Sequence, residues 1–276
     1  MNLNTIYPIA LAIAREAGAV LREGHFASGT AHKEIALKSS SMDLITHYDK
    51  AAETLIADRL RSAFPSHHLL AEEGATNSHG DSPYLWVVDP LDGTTNFAHG
   101  FPVFAVSMAL LENGQPRLGI VYDPIRDECF AAIAGQGATL THADGTTQPL
   151  QVSSAQTLQE SLLATGFPYD VQTSDWDNLA EFRAFLKRSR GVRRPGAAAL
   201  DLAYVAAGRL DGYWEYKLSP WDIAAGVLLV QEARGRVTNI TNGPITLEGR
   251  IHLIASNGLL HEEMVAVLKE VMSAKD

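Results

Sequence analysis

The sequence has a single cysteine, Cys129, in 276 residues. One thiol excludes an internal disulfide and any Cys-rich zinc or iron–sulfur centre, and it fits a reducing cytoplasm. Long apolar runs are missing too. The longest, Pro102 to Leu111, is about half of the ~18–20 residues that a membrane-spanning helix needs. Positive charge is scarce: 22 Lys and Arg against 32 Asp and Glu leave a net charge of −10. A nucleic-acid-binding face needs the opposite balance, so no nucleic-acid partner is expected. Arg15, Glu16, Arg22 and Glu23 interrupt any N-terminal apolar core, so no secretion signal is expected. A GxxxxGK[ST] phosphate loop and a GxSxG nucleophile elbow are both absent. His261-Glu262-Glu263 starts like a zinc-protease helix, but Val265 stands where the second histidine would be.

What is present is ordinary globular composition, with 46% hydrophobic and 20% charged residues. The length suits one large domain or two smaller ones. Periodicity predicts helices over 4–27 and about 50–64, the second opened by Thr46-x-x-Asp49 and stopped by Pro65. Strands are predicted over 31–38, 69–71, 84–88, 103–111, 117–122 and 128–133, with Asn113-Gly114 as a hairpin turn. Beyond Pro149 strands and helices alternate: strands 161–165, 190–194, 211–215, 236–239 and 251–256, helices 175–189, 197–208, 220–233 and 259–273. The expectation is an α+β half over 1–150 with an antiparallel sheet, closely packed on an α/β half over 151–276.

One segment carries chemistry. Strand 84–88 delivers Asp89, Pro90 ends the ladder, and Gly93 permits a sharp turn that folds Asp92 back beside Asp89. Leu91 between them exposes its carbonyl. Converging carboxylates are costly without a cation, and hard oxygen donors select Mg²⁺ or Mn²⁺ over zinc or copper. Thr94-Thr95-Asn96 begins a helical turn whose N–H groups suit a phosphate. Glu72-Glu73 ends an apolar strand as a like-charged pair. Ser219-Pro220-Trp221-Asp222 opens a helix with Asp222 in its first turn. Taken singly, these are turn, surface and capping residues; together they supply donors for two divalent ions.

Asp89-Pro-Leu-Asp-Gly-Thr-Thr-Asn-Phe97 with Trp221-Asp-Ile-Ala-Ala-Gly226 resembles the paired signatures of the inositol monophosphatase family, within the fructose-1,6-bisphosphatase-like superfamily. The likeness extends to Lys38-Ser-Ser, Asp49, Ala71-Glu-Glu-Gly74 and Gly196-Ala-Ala-Ala-Leu-Asp-Leu202, and Ala164 to Tyr169 resembles the bacterial members. The resemblance implies a layered α-β-α-β-α sandwich and a lithium-sensitive, Mg²⁺-dependent phosphatase working as a homodimer. It implies one metal on Glu72, Asp89 and the Leu91 carbonyl, and a second on Asp89, Asp92 and Asp222. Some members hold a third ion near Glu72. Of Glu72 and Glu73, it selects Glu72 as the inner ligand.

By the same resemblance, Gly93 and Thr94 cradle the phosphate, and Asp49 and Thr94, or Glu72, activate the attacking water. Glu215 and the Gly196-Ala197-Ala198 turn, with Asp92, face the alcohol, and Lys38 lies on a mobile loop near the metals. The expected substrate is a small phosphate monoester, with inositol-1-phosphate foremost. Histidinol phosphate, fructose-1,6-bisphosphate and an adenosine bisphosphate are alternatives within the superfamily. A regulatory partner-binding protein on the same fold is the alternative of another class, and a cation-stabilised scaffold without catalysis is a third.

Overall fold

In the N-terminal helix, α1 (Leu3–Phe26), the buried residues Ile6, Ala10, Ile13, Ala14, Ala17 and Leu21 follow the spacing of one helical face. Helix α2 (His47–Ala63) buries Ala52, Ile56, Ala57 and Leu60 in the same way. The two helices pack on each other and cover one face of a seven-stranded sheet. The computed structural model describes residues 2–27, 36–37, 44–76 and 81–274. Most of the expected strand 31–38 lies outside them. What is described there is a short antiparallel pair, β1 (Ala36–Leu37) with β2 (Leu44–Ile45).

The large sheet runs β3 (His68–Ala71), β4 (Tyr84–Asp92), β5 (Ala105–Glu112), β6 (Gln115–Asp123), β7 (Glu128–Ile133), β8 (Gly137–Thr141) and β9 (Thr147–Pro149), side by side in chain order. Every pairing is antiparallel except β3 with β4. Asn113 and Gly114, at φ 52° and 77°, make the β5–β6 hairpin turn. The second sheet has the order β11 (Gly191–Arg193), β10 (Leu162–Thr165), β12 (Gly212–Leu218), β14 (Ile251–Ser256), β13 (Arg236–Asn239), with β10 parallel to both neighbours.

Between the sheets lie α5 (Ala198–Ala206) and α6 (Pro220–Glu232), which touch both and are buried on nearly every side. Their high apolar content follows from that position. A side chain at Gly226 would meet Leu202 Cβ at 2.5 Å, so glycine there lets the two helices close up. Helices α4 (Leu179–Leu186) and α7 (His261–Ser273) cover the outer face of the second sheet. The layers are therefore α1/α2, large sheet, α5/α6, small sheet, α4/α7: the expected α-β-α-β-α sandwich. One core cluster runs through the middle, joining Val87, Val121 and Phe130 to Leu202, Ile223, Tyr213 and Leu253.

Strands β8 and β9 were not expected from the sequence, and among the boundaries that differ two stand out. Strand β4 does not stop at Pro90 but continues to Asp92, because the register shifts between Asp89 and Asp92 and a bulge absorbs the proline. Helix α4 is shorter than 175–189, starting at Leu179 after Asn178 in the left-handed region at φ 66°.

Candidate active site

The bulge at the end of β4 is the origin of the site. The Leu91 N–H donates to Asp89 Oδ1 at 2.9 Å, folding the chain back on the carboxylate. Gly93 follows at φ 92°, and a Cβ there would stand 2.9 Å from the Val103 carbonyl oxygen. The short helix α3 (Thr94–Ala98) then begins. Its Asn96 donates from Nδ2 to the carbonyls of Val103 and Pro195, each at 2.8 Å. That side chain ties the turn at Gly93 to the turn at Gly196, itself at φ 83°.

Asp92 reaches across to the second half of the chain. It accepts the N–H groups of Ala198 at 3.1 Å and Ala199 at 2.8 Å, and so caps α5. Asp222 sits in the capping box of α6, where it accepts the Ser219 N–H at 2.7 Å. Glu72 follows β3, the parallel neighbour of β4. Glu72, Asp89, Leu91, Asp92, Gly93, Thr94, Gly196, Ala197, Ala198, Glu215 and Asp222 all line one cleft of about 410 Å³. That volume lies within the ~300–1,000 Å³ of small-molecule sites. Lys38 lies outside the described residues.

Asp49 stands behind the cleft wall, 1% exposed. Its Oδ2 accepts the Thr46 N–H at 2.9 Å and the Thr46 hydroxyl, the capping box expected at the start of α2. Its Oδ1 accepts the Thr94 hydroxyl at 3.1 Å, which also points to the Leu91 carbonyl at 3.1 Å. Glu215, on β12, accepts a hydrogen bond from Tyr213 two residues earlier on the same strand face. Gly166 makes room for it, since a Cβ there would lie 2.1 Å from the Glu215 carboxylate.

The electrostatics are those of anions crowded without neutralisation. Burial, then the carboxylates of Glu72, Asp92 and Asp222, push Asp89 well above the ordinary carboxylate range. Burial and then Glu72 do the same to Asp222. Burial lifts Asp92 to about 7 against the pull of the Ala199 and Ala198 N–H groups. Glu215 also rises to about 7, chiefly through burial. Among the described residues, no three His, Cys, Asp or Glu side chains are already gathered as a closed donor set. The carboxylates instead share one cleft, where their mutual repulsion and all-oxygen chemistry fit a hard divalent cation.

Sequence reasoning missed several residues. Tyr213 and Asp201 are fully or almost fully buried beside Glu215, and Asp201 Oδ1 has no hydrogen-bond partner. Lys217 and Arg250 also line the cleft. The i, i+2 relation of Tyr213 and Glu215 on one strand face was a usable signal. Nothing local marks these two cations.

A layered sandwich whose carboxylates line one cleft at the end of a bulged strand, beside the turns at Gly93 and Gly196, is a scaffold with donors for a hard divalent cation. The model of the inositol monophosphatase family matches residues 2–273, and the chain belongs to that family. It is 45% identical to an inositol-1-monophosphatase of Synechocystis over 86% of this chain and 80% of that protein. It is 46% identical to a protein of Pseudomonas aeruginosa named Nus factor SuhB, over 90% of each chain. The solved inositol monophosphatase of Anabaena superposes with a TM-score of 0.85 at 42% identity, covering 98% of this chain and 97% of that one. The protein is a phosphoric monoester hydrolase by family. No helix among the described residues is long and apolar enough to cross a membrane.

Proposed function

We propose that this chain hydrolyses a small phosphorylated alcohol, inositol-1-phosphate foremost, with Mg²⁺ held by Glu72, Asp89, the Leu91 carbonyl, Asp92 and Asp222. The observation that carries it is the convergence of these donors in one cleft with the hydrogen-bonded pair Thr94–Asp49. The likeness to a protein named inositol-1-monophosphatase supports the substrate. Bound there, divalent ions would neutralise the phosphate and acidify a water.

The chain's own residues do the rest. Asp49 Oδ1 takes the Thr94 hydroxyl hydrogen, which leaves a Thr94 oxygen lone pair free to accept a proton from the attacking water. Thr46 fixes Asp49 from the other side. The N–H groups of Gly93 and Thr94 hold the phosphate, and Glu215 with the Gly196–Ala198 turn receives the alcohol. Water's oxygen bonds to phosphorus as the bond from phosphorus to the alcohol oxygen breaks; the water's proton passes to the Thr94–Asp49 pair and the leaving alkoxide takes a proton from solvent, giving the free alcohol and inorganic phosphate.

The test is phosphate release from inositol-1-phosphate, histidinol phosphate, fructose-1,6-bisphosphate and an adenosine bisphosphate, with Mg²⁺ and with a chelator. Release that needs Mg²⁺ and is abolished by Asp89→Asn in a folded protein supports the proposal. An Asp89→Asn variant with undiminished Mg²⁺-dependent turnover overturns it.

A second role as a partner-binding factor is favoured by the relative named Nus factor SuhB. Capture of a partner by the Asp89→Asn variant as well as by the wild type would separate that role from catalysis. A homodimer is part of the same proposal, and light scattering on the eluted protein reads it.

A further inference from the structure

Along β12 the pairing with β14 is regular from Gly212 to Glu215 and then breaks before Leu218. Lys217 sits in the break at φ 61°, a left-handed conformation that residues other than glycine adopt uncommonly. Such outliers persist where the surroundings enforce them. Here the surroundings are explicit. The Lys217 ammonium lies 2.6 Å from Asp170 Oδ2 and 2.6 Å from Ser174 Oγ, both on the segment that follows β10. Its side chain is only 24% exposed. An ammonium has three donors, and these partners take two of them.

Arg250 braces the same bulge. Its Nη1 donates to the Lys217 carbonyl at 3.3 Å and to Ser219 Oγ at 3.1 Å. Among the described residues no carboxylate stands within 4.0 Å of the Arg250 guanidinium, although its charge is felt by Asp170. Two cations therefore face one carboxylate, a local surplus of 2 − 1 = +1. Asp170, Lys217 and Arg250 all line the cleft whose floor carries Glu72, Asp89, Asp92 and Asp222. Arg194, the other cation of the cleft, acts on Glu215 instead.

We propose that Lys217 and Arg250 form a second anion subsite on the rim of the cleft, so that beside monoesters of neutral alcohols it accepts, with added affinity from the rim, phosphomonoesters whose alcohol part bears a further oxyanion. This rests on the phosphatase reading above. A monoester of a neutral alcohol engages the floor and leaves the rim cations facing water. A second phosphate or a carboxylate at the far end of the alcohol meets them, and a charge-assisted hydrogen bond results. Asp170 holds the lysine in place and also limits the surplus charge, so it sets how strongly the rim prefers anions.

The test uses the full-length protein with Mg²⁺ and three probes: glycerol 2-phosphate, fructose-1,6-bisphosphate and 3-phosphoglycerate. The quantity read is kcat/KM for each anionic probe relative to glycerol 2-phosphate. In Lys217→Gly and Arg250→Gln this ratio falls on the order of tenfold, through KM. In Asp170→Asn it rises. Lys217→Gly also frees the backbone from its left-handed constraint, and the melting temperature verifies that each variant is folded. A fall confined to fructose-1,6-bisphosphate assigns the second oxyanion to phosphate; one confined to 3-phosphoglycerate assigns it to carboxylate. Equal changes on all three probes, or a lower ratio in Asp170→Asn, overturn the subsite while leaving the phosphatase standing. No phosphate from any probe with the wild-type protein overturns the phosphatase reading, and the subsite with it.

Discussion

At the scale of single residues, the pair Thr94–Asp49 is the most direct test of how water is activated. Asp49 is held by three donors, the N–H and hydroxyl of Thr46 and the hydroxyl of Thr94. On the proposed mechanism, removing either partner of the pair takes away a positioned proton acceptor. General acid–base groups contribute roughly 10²–10⁴-fold, so Thr94→Val and Asp49→Asn should each lower kcat by at least about a hundredfold. KM should move little, because neither change touches the bound alcohol. Steady-state phosphate release reads both constants; a KM effect as large as the kcat effect would place the pair in binding. Asp89 and Asp92 were legible in the sequence because the turn chemistry of Pro90 and Gly93 folds one back beside the other, whereas Glu215 came only from the resemblance to the family. The cations Lys217 and Arg250 were not legible, since each reaches the cleft only through the bulge after Glu215 and the start of β14.

At the scale of elements, His261 shows how a helix end can carry a pH dependence. It begins α7 with its ring fully buried between Ser256 Oγ at 2.9 Å and Thr238 Oγ1 at 2.8 Å. Burial first, and then Arg236 against the opposing pull of Glu262, lowers its pKa from 6.5 to about 4. The unfolded chain takes up this proton as pH falls below about 6.5, while the folded chain resists until about 4. The contribution to stability is therefore complete above about 6.5 and is lost as pH falls toward 4, by up to about 3 kcal/mol. Urea unfolding between pH 7 and pH 4 should show a steeper loss for the wild type than for His261→Asn. Parallel curves would mean that other groups set the slope. Elements with strong local signals were legible: the Thr46 and Ser219 capping boxes and the Asn113-Gly114 turn appear where the sequence puts them. Helix α4 was drawn too long, because the run before Leu179 is held by tertiary contacts instead. There Asn178 donates to Thr165 Oγ1 and the Gly166 carbonyl, and it accepts from Trp214 Nε1.

At the scale of the whole molecule, the chain carries −10 charges and gathers several of them in one cleft. A divalent ion bound by the folded state alone stabilises it by mass action, about 2.7 kcal/mol at a hundred times its Kd. Titrating Mg²⁺ into chelator-treated protein should raise the melting temperature by roughly 5–10 °C, and Asp89→Asn should blunt the rise. An equal rise in that variant would locate the ion elsewhere. The switch at Pro149 between an antiparallel run and alternating strands and helices was legible, but the five-layer order came from the resemblance, and the sharing of α5 and α6 by both sheets was not legible, since no local pattern says which faces a fully apolar helix meets.

That shared middle layer bears on covalent continuity. Val87, Val121 and Phe130 from before Pro149 and Leu202, Ile223 and Leu253 from after it belong to one apolar cluster. Neither segment can bury its own share alone. A peptide bond cut between Pro149 and Leu162 should leave two pieces that stay together in solution and keep the cleft, whereas either piece made separately should aggregate. Co-expression of the two pieces followed by gel filtration checks this, and recovery of phosphate release in the joint peak would make the protein a split reporter whose halves are assembled by a buried helix pair.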